Sequence, residues 1–474
     1  MLSKKQAIEV LNAALKTGGD YAEIFIQETH SSSYSIENGK VEAVTDTVGL
    51  GAGIRILKEL QSVYGYTNDV SKNGLLALAN SLSASYSGKQ TLFIDNLKVK
   101  KVKNIHPHLR PHAEVDPKEI IAYLKKGEEA MRISPKIVRT KSGLSHYNQY
   151  NTLINSKGFI FKDEKERGRA VLMCVAIDGE KIETGHNAPG ASAGFEFFEK
   201  NVDIVKLGKE TATSALTMLE AKECPSGKMP VVIGNGFGGV IFHEACGHGL
   251  EASAVSKNLS VFAGKLGTQV ASKLVTAYDD GTIVNAWGSN NIDDEGNKTQ
   301  KTVLIENGIL KSYLIDDFNG RRMGMKGNGA CRRESYKFEP TSRMSNTFIA
   351  NGTSTPEEII KATKLGLYAK SLNGGSVNPA TGEFNFGCSE AYIIRDGKIC
   401  EPVRGASLIG SGAEILKHID MVGNDLERAQ GMCGASSGSI PTDVGQPTIR
   451  VDEILVGGNG GELKWDLMRK NSLN

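Results

Sequence analysis

Long apolar runs, paired cysteines and a charge excess are all missing from this sequence, and each absence removes a class of protein. No stretch approaches the roughly 20 consecutive apolar residues of a membrane-spanning helix. Met1 to Gly19 has no apolar core of signal-peptide length. Ser3-x-x-Gln6 instead reads as a capping box, with Ala7, Ile8, Leu11, Ala14 and Leu15 along one helical face and Gly18 ending it. A chain without leader or membrane span is the expectation. The seven cysteines are odd in number, widely spread and form no C-x-x-C pair. That excludes a disulfide framework and points to a reduced, cytoplasmic setting, with most thiols as small core fillers. Formal net charge is only +2, so no global field draws nucleic acid or a membrane surface. The local basic run Lys98-Val-Lys-Lys-Val-Lys103 reads as the solvated face of a strand.

The 474 residues exceed what one hydrophobic core supports, so two or three domains are expected. The breaker cluster Glu223-Cys-Pro-Ser-Gly-Lys228 marks the best boundary. It separates an N-terminal mixed α/β domain (1–224) from a C-terminal domain (225–474). Strand-like stretches in the first half are Tyr21–Glu28, Ser33–Glu37, Lys40–Thr45, Val48–Leu57, Asn151–Asn155, Phe159–Phe161 and Ala170–Ile177. Helices are predicted over about 69–82 and 203–221, and from Asp116-Pro117-x-Glu119, where proline opens the helix and glutamate closes a box. In the second half, Asn307-Gly308 and Asp396-Gly397 sit between strand pairs as type I′ turns, and Asp280-Gly281 suggests a third hairpin. Thr355-Pro356-x-Glu358 caps one helix and Ala413–Met421 suggests another. The class is therefore α+β, the C-terminal part being a largely antiparallel sheet with a few helices and no run of βαβ units.

Against that frame one segment stands out, Ile241-Phe-His-Glu-Ala-Cys-Gly-His-Gly-Leu250. It packs two imidazoles, a carboxylate and a thiol into His243 to His248, a mix rarely buried unless paired or metal-bound. The spacing is His-Glu-x-x-x-His, one residue longer than that of common zinc peptidases. Positions five apart on an α-helix point about 140° away from each other, so His243 and His248 cannot share an ion on a regular helix. Either a π-type bulge widens the helix, or the helix breaks at Gly247 and Gly249. Three readings stay open. Glu244 and His248 are a simple pair four apart; or the segment is half of a closed structural zinc site; or two histidines and a distant ligand hold Zn²⁺, water fills the fourth position and Glu244 is the base.

Pro230-Val-Val-Ile233 followed by Gly234-Asn-Gly236-Phe-Gly-Gly239 matches the dinucleotide fingerprint G-x-G-x-x-G. The βαβ context fails, because the following helix carries His243 and Glu244 and no second strand ends in an acid about 20 residues on. The glycines read better as close backbone approach to the His-Glu segment and its ligand.

Gly238-Gly-Val-Ile-Phe-His-Glu-Ala-Cys-Gly-His-Gly-Leu-Glu251 resembles the signature of the TldD/PmbA family of metallopeptidases, in its metal-bearing TldD branch. Val48-Gly-Leu-Gly-Ala-Gly-Ile-Arg55, Tyr66-Thr-Asn-Asp69, Pro402-Val-Arg-Gly-Ala-Ser-Leu-Ile-Gly410, His418-Ile-Asp-Met-Val-Gly-Asn-Asp425, Gly431-Met-Cys-Gly434 and Val444-Gly-Gln-Pro447 extend the similarity from near residue 20 to near residue 455. The metal-less partner branch lacks the paired histidines. From its own context Cys433 reads as an inert buried thiol; the resemblance implies instead that it joins His243 and His248 as a Zn²⁺ ligand, with Glu244 as catalytic base. It further implies hydrolysis of unfolded peptides in an enclosed cavity, which the first 224 residues would help form, and a dimer, either of identical chains or with the metal-less paralogue. Cys246 departs from the small apolar residue expected there and is read as packing. Arg404 and the backbone at Gly234–Gly239 are candidate oxyanion donors.

Two rivals remain at this level. One is a partner-modulating protein whose metal is purely structural, closed by Cys246, Glu244, Glu251 or His418. The other is a hydrolase or amidase acting on a small non-peptide substrate.

Overall fold

A computed structural model, covering residues 2–378 and 381–461, shows the first half organised by period-two alternation along a few long strands. In chain order come α1 (Lys4–Leu15), β1 (Tyr21–Glu37), β2 (Lys40–Lys58), β3 (Gln61–Thr67), α2 (Lys72–Ser83), β4 (Lys98–Lys100) and α3 (Pro117–Ala130). They are followed by β5 (Ile137–Asn155), β6 (Phe159–Asp178), β7 (Lys181–Asn187), β8 (Gly190–Ala191), α4 (Glu196–Asn201) and α5 (Ile204–Glu220). The sheet runs β3-β2-β1-β5-β6-β4, with β7 and β8 also paired to β6. The capping box of α1 forms as the sequence predicts. That of α3 does not close, because Glu119 turns away to Arg110.

The strands are longer than the sequence suggests. Tyr21–Glu28 and Ser33–Glu37 are one strand, since hydroxyl pairs Ser31–Thr47 (2.7 Å) and Ser33–Thr45 (2.6 Å) carry the ladder through a polar stretch. Apolar patterning cannot reveal a strand whose neighbours are satisfied by hydroxyls.

Alternation gives this sheet two different faces. Ala22, Ile24, Ile54 and Ile56 pack with Val10, Leu11 and Leu15 of α1 and Leu75 of α2. Leu172, Cys174 and Ala176 on the same face meet Ile204, Ala212 and Ala215. The opposite parity turns towards the second half of the chain. There Arg55 lies 2.9 Å from Glu23 and 2.7 Å from Glu295, and Arg333 lies 2.6 Å from Glu23, all of them buried. Arg167 donates to the Trp287 carbonyl at 3.0 Å. At Gly51 a Cβ would sit 2.2 Å from the Tyr336 ring, so glycine is what lets the two halves touch. Arg55→Met strips the positive centre from this buried network and should cost about 3–5 kcal/mol, read from the urea midpoint. A loss below 1 kcal/mol, the range of exposed pairs, would show the network to be solvated.

Among the described residues, two large sheets and a small pair, Cys331–Arg332 with Thr341–Ser342, build the second half. In one, strand 227–233 lies between 365–377 and 449–457, followed by 407–411, 383–395, 398–404 and 222–223. Because 365–377 also pairs with 383–395, five of these strands close on themselves as a barrel. The other sheet has the order 309–310, 301–306, 277–280, 346–349, 438–446, 427–435. Both are mixed, with parallel pairs at 227–233 with 365–377 and at 346–349 with 438–446. Their shared core includes Val231, Phe242, Leu304, Phe386 and Val451. The fold is thus mixed α and β with several sheets. Among the described residues no helix is long and apolar enough to cross a membrane.

Two local expectations need correction. The helix expected over Ala413–Met421 covers only Gly412–Ile415. Ile419 and Val422 are buried in a strand paired with 449–457, so sheet burial overrides helical spacing. Asp280-Gly281 is not a hairpin. The Asp280 carboxylate accepts from Thr282, and the chain runs on to Lys301 before pairing back. The turns at Asn307-Gly308 and Asp396-Gly397 do form, all four residues having positive φ between 48° and 81°.

Candidate metal centre

Strand 227–233 feeds a tight turn at Gly236–Gly239, and one α-turn, Val240–Phe242, leads into His243. From His243 to Gly247 the helix widens, and the His248 amide donates to the His243 carbonyl five residues back. Of the two routes open to the spacing, the π-type bulge is the one that forms. Widening turns the fifth residue back onto the face of the first, where an α-helix would point it away. His248–Leu250 then tightens to a 3-10 turn. Gly247 is pressed against Met344, whose sulfur would lie 2.1 Å from a Cβ there. A Cβ at Gly239 would lie 2.4 Å from the backbone of Gly445, and one at Gly234 2.4 Å from that of Lys370. Of the glycines in the apparent dinucleotide motif, Gly234 and Gly239 therefore serve close packing of the His-Glu segment onto neighbouring strands, while Gly236 supplies the positive φ (63°) of the turn.

Cys433 arrives from strand 427–435, opposite Ile440 on 438–446. Its Sγ lies 3.1 Å from His243 Nε2 and 3.4 Å from His248 Nε2, and the two rings meet edge to face with centroids 5.1 Å apart. All three donor atoms fall within 4.8 Å of one another. Glu244 Oε2 is 3.7 Å from His248 Nε2, its side chain 20% exposed. His248 Nδ1 faces Glu251 Oε2 at 3.3 Å.

Electrostatics favour the ligating form at Cys433, and at His248 the protonated ring, whose proton an incoming ion must displace. Burial pushes the Cys433 thiol up, but the charge and hydrogen bonds of His243 and His248 pull it well below its ordinary value, towards thiolate. Burial lowers His248 while the Glu251 carboxylate and Cys433 raise it, and the raising groups win. Glu244 is raised by burial, partly offset by the two histidines. A tetrahedral zinc ion with ordinary bond lengths holds sulfur and nitrogen donors about 3.5 Å apart. The observed 3.1 and 3.4 Å sit close to that, so the donors fit such an ion in chemistry and in both sulfur–nitrogen spacings.

Other residues singled out by the sequence lie elsewhere. Cys246 is fully buried in the apolar core, where burial pushes its thiol up. His418 pairs with Asp452 at 2.7 Å on the surface. Arg404 is held by Glu223 (2.7 Å) and Glu183 (3.8 Å) on the wall of a cleft of about 870 Å³ that Phe237 and Gly238 also line. The partners behind the candidate ligands, Glu251 and Arg343, went unrecognised in those roles. Arg343 carries no sequence signal, and Glu251 drew notice only as a possible closing ligand.

What this sequence matches, across nearly the whole chain, is a class of metallopeptidases. Family models for PmbA/TldA metallopeptidase domain 1, central domain and C-terminal domain match residues 22–85, 110–219 and 226–458. The chain belongs to the PmbA/TldD metallopeptidase family. It is 35% identical over 470 residues to the metalloprotease TldD homologue of Haemophilus influenzae, covering 96% of this chain and 97% of that protein. It is 34% identical over 448 residues to the metalloprotease TldD homologue of Buchnera aphidicola from Acyrthosiphon pisum, covering 93% of each. In three dimensions it resembles a Thermotoga maritima protein described as a candidate modulator of a DNA gyrase, with a TM-score of 0.76 at 21% identity, over 92% of this chain and 96% of that one.

Proposed function

We propose that this protein is a zinc-dependent peptidase acting on unfolded polypeptides, with His243, His248 and Cys433 as the metal ligands and Glu244 as general base. The observation that carries the reading is the convergence of two imidazole nitrogens and a cysteine sulfur within 4.8 Å beside a partly exposed carboxylate. Among the described residues no fourth His, Cys, Asp or Glu joins that group, which supports a site with a position left for water rather than a closed structural one. When bound, a zinc ion polarises the scissile carbonyl and brings the pKa of a water ligand towards about 7.

The chain's own groups then supply the proton traffic. Glu244 Oε2, on the His248 side of the cluster, takes a proton from the attacking water and returns it to the departing amine. His243 and His248 act in their neutral forms through Nε2, and Cys433 as thiolate. Seven free cysteines fit a reduced cytoplasmic setting, in which such a thiolate persists.

Incubating the zinc-loaded chain with unstructured peptides, followed by mass spectrometry, tests the reading. Cleavage is expected, and a chelator should abolish it. Loss of folding on chelation, with no cleavage before it, would favour a modulator whose metal is structural. Turnover confined to small amides would favour a different hydrolase.

A further inference from the structure

We infer that Arg343 and Glu251 form a single brace that positions two of the three proposed ligands, Cys433 and His248, relative to each other. The inference rests on the metal reading above and concerns residues that touch neither ion nor substrate.

Arg343 is fully buried between strands 341–342 and 346–349. One terminal nitrogen, Nη1, donates to Ser437 Oγ and to the Gly438 carbonyl, both at 2.9 Å. The other, Nη2, donates to the carbonyl of Cys433 itself. The guanidinium thus grips the turn of the hairpin that carries Cys433 and the ligand's own backbone. Its third nitrogen, Nε, faces Glu251 Oε1 at 3.7 Å, and among the described residues neither of these two atoms has a hydrogen-bond partner. The other oxygen of Glu251 sits 3.3 Å from His248 Nδ1. A continuous path therefore runs from the Cys433 backbone through one guanidinium and one carboxylate to the His248 ring.

Each link has a physical reason. A carboxylate that accepts the Nδ1 proton holds neutral imidazole in the tautomer whose Nε2 lone pair points the other way, here towards Cys433 Sγ. A buried carboxylate needs a cation, and among the described residues Arg343 supplies one at ion-pair distance besides His248. Only arginine offers a planar fork that reaches three carbonyl or hydroxyl oxygens and still turns a further N–H to an acid; lysine has a single ammonium. Among the described residues His243 has no such partner, its Nδ1 being buried without a hydrogen bond. The brace therefore acts on the His248–Cys433 side alone.

The test uses the full chain and zinc as probe, with affinity read by competition against a chromophoric chelator and stability by unfolding of the metal-free form. Glu251→Gln keeps the shape and removes the charge. It should weaken zinc by about 10–100-fold, the usual effect of losing an outer partner of a ligating histidine, with affinity read on chain still folded, because Arg343 left without its buried counter-charge also lowers the metal-free unfolding midpoint. Arg343→Lys should weaken zinc as well, and the double variant should lose less than the sum of the two, because both act along one path. Wild-type zinc affinity in Glu251→Gln overturns the brace. Should Arg343→Lys fail to fold, Glu251→Gln decides alone. If wild type itself takes up no zinc, or Cys433→Ser takes it up equally well, the metal reading fails first and the brace falls with it.

Discussion

Glu244→Gln should retain zinc in full and lose about 10²–10⁴-fold in peptide turnover, the range that a positioned general base contributes. The substitution is nearly isosteric and removes no proposed ligand atom, so the packing of the widened helix survives it. What disappears is basicity: an amide oxygen accepts a hydrogen bond but cannot carry the water proton to the leaving amine. The geometry allows little substitution by a neighbour. Glu251 is engaged by His248 on the far side of that ring, at Nδ1, whereas Glu244 approaches Nε2, where the three donors meet. Metal content by elemental analysis and hydrolysis of an unstructured peptide are measured on the same preparation. Undiminished turnover with full metal would remove Glu244 from the chemistry. Loss of metal together with turnover would recast it as a ligand.

Cys433→Ser should empty the site. A serine hydroxyl stays protonated at neutral pH and offers a hard, neutral oxygen in place of a soft thiolate, so the affinity should fall by more than the about 10–100-fold of an outer partner. The variant also separates binding from stability. At about a hundredfold excess over Kd, an ion that binds only the folded chain adds about 2.7 kcal/mol. Wild type should therefore melt higher with zinc than without, and Cys433→Ser should show the same midpoint in both conditions. Full occupancy in this variant would exclude the sulfur from the centre.

Helix caps, type I′ turns and the break from a regular helix at His243–His248 were legible in the sequence because each depends on residues within five positions. The Ser3 and Thr355 capping boxes and the Asn307-Gly308 and Asp396-Gly397 turns form as read. Elements that depend on distant partners were not legible. The helical spacing of Ala413–Met421 yields to a strand, since Ile419 and Val422 find a sheet to join. The serine-rich middle of β1 stays extended because threonines from β2 lie opposite.

The same division holds at the site. Local sequence determined that His243 and His248 cannot share one face unless the helix widens, and it placed Glu244 beside them. Cys433 entered through family resemblance, because nothing in its own surroundings distinguishes a ligand from a buried thiol. Only the tertiary structure decided that this sulfur lies 3.1 Å from a histidine 190 residues away, and that one arginine joins its hairpin to Glu251. The physical reason is that hydrogen-bonded turns and helix period act over a few residues, whereas the approach of separate strands is decided by which side chains bury together when the two halves close.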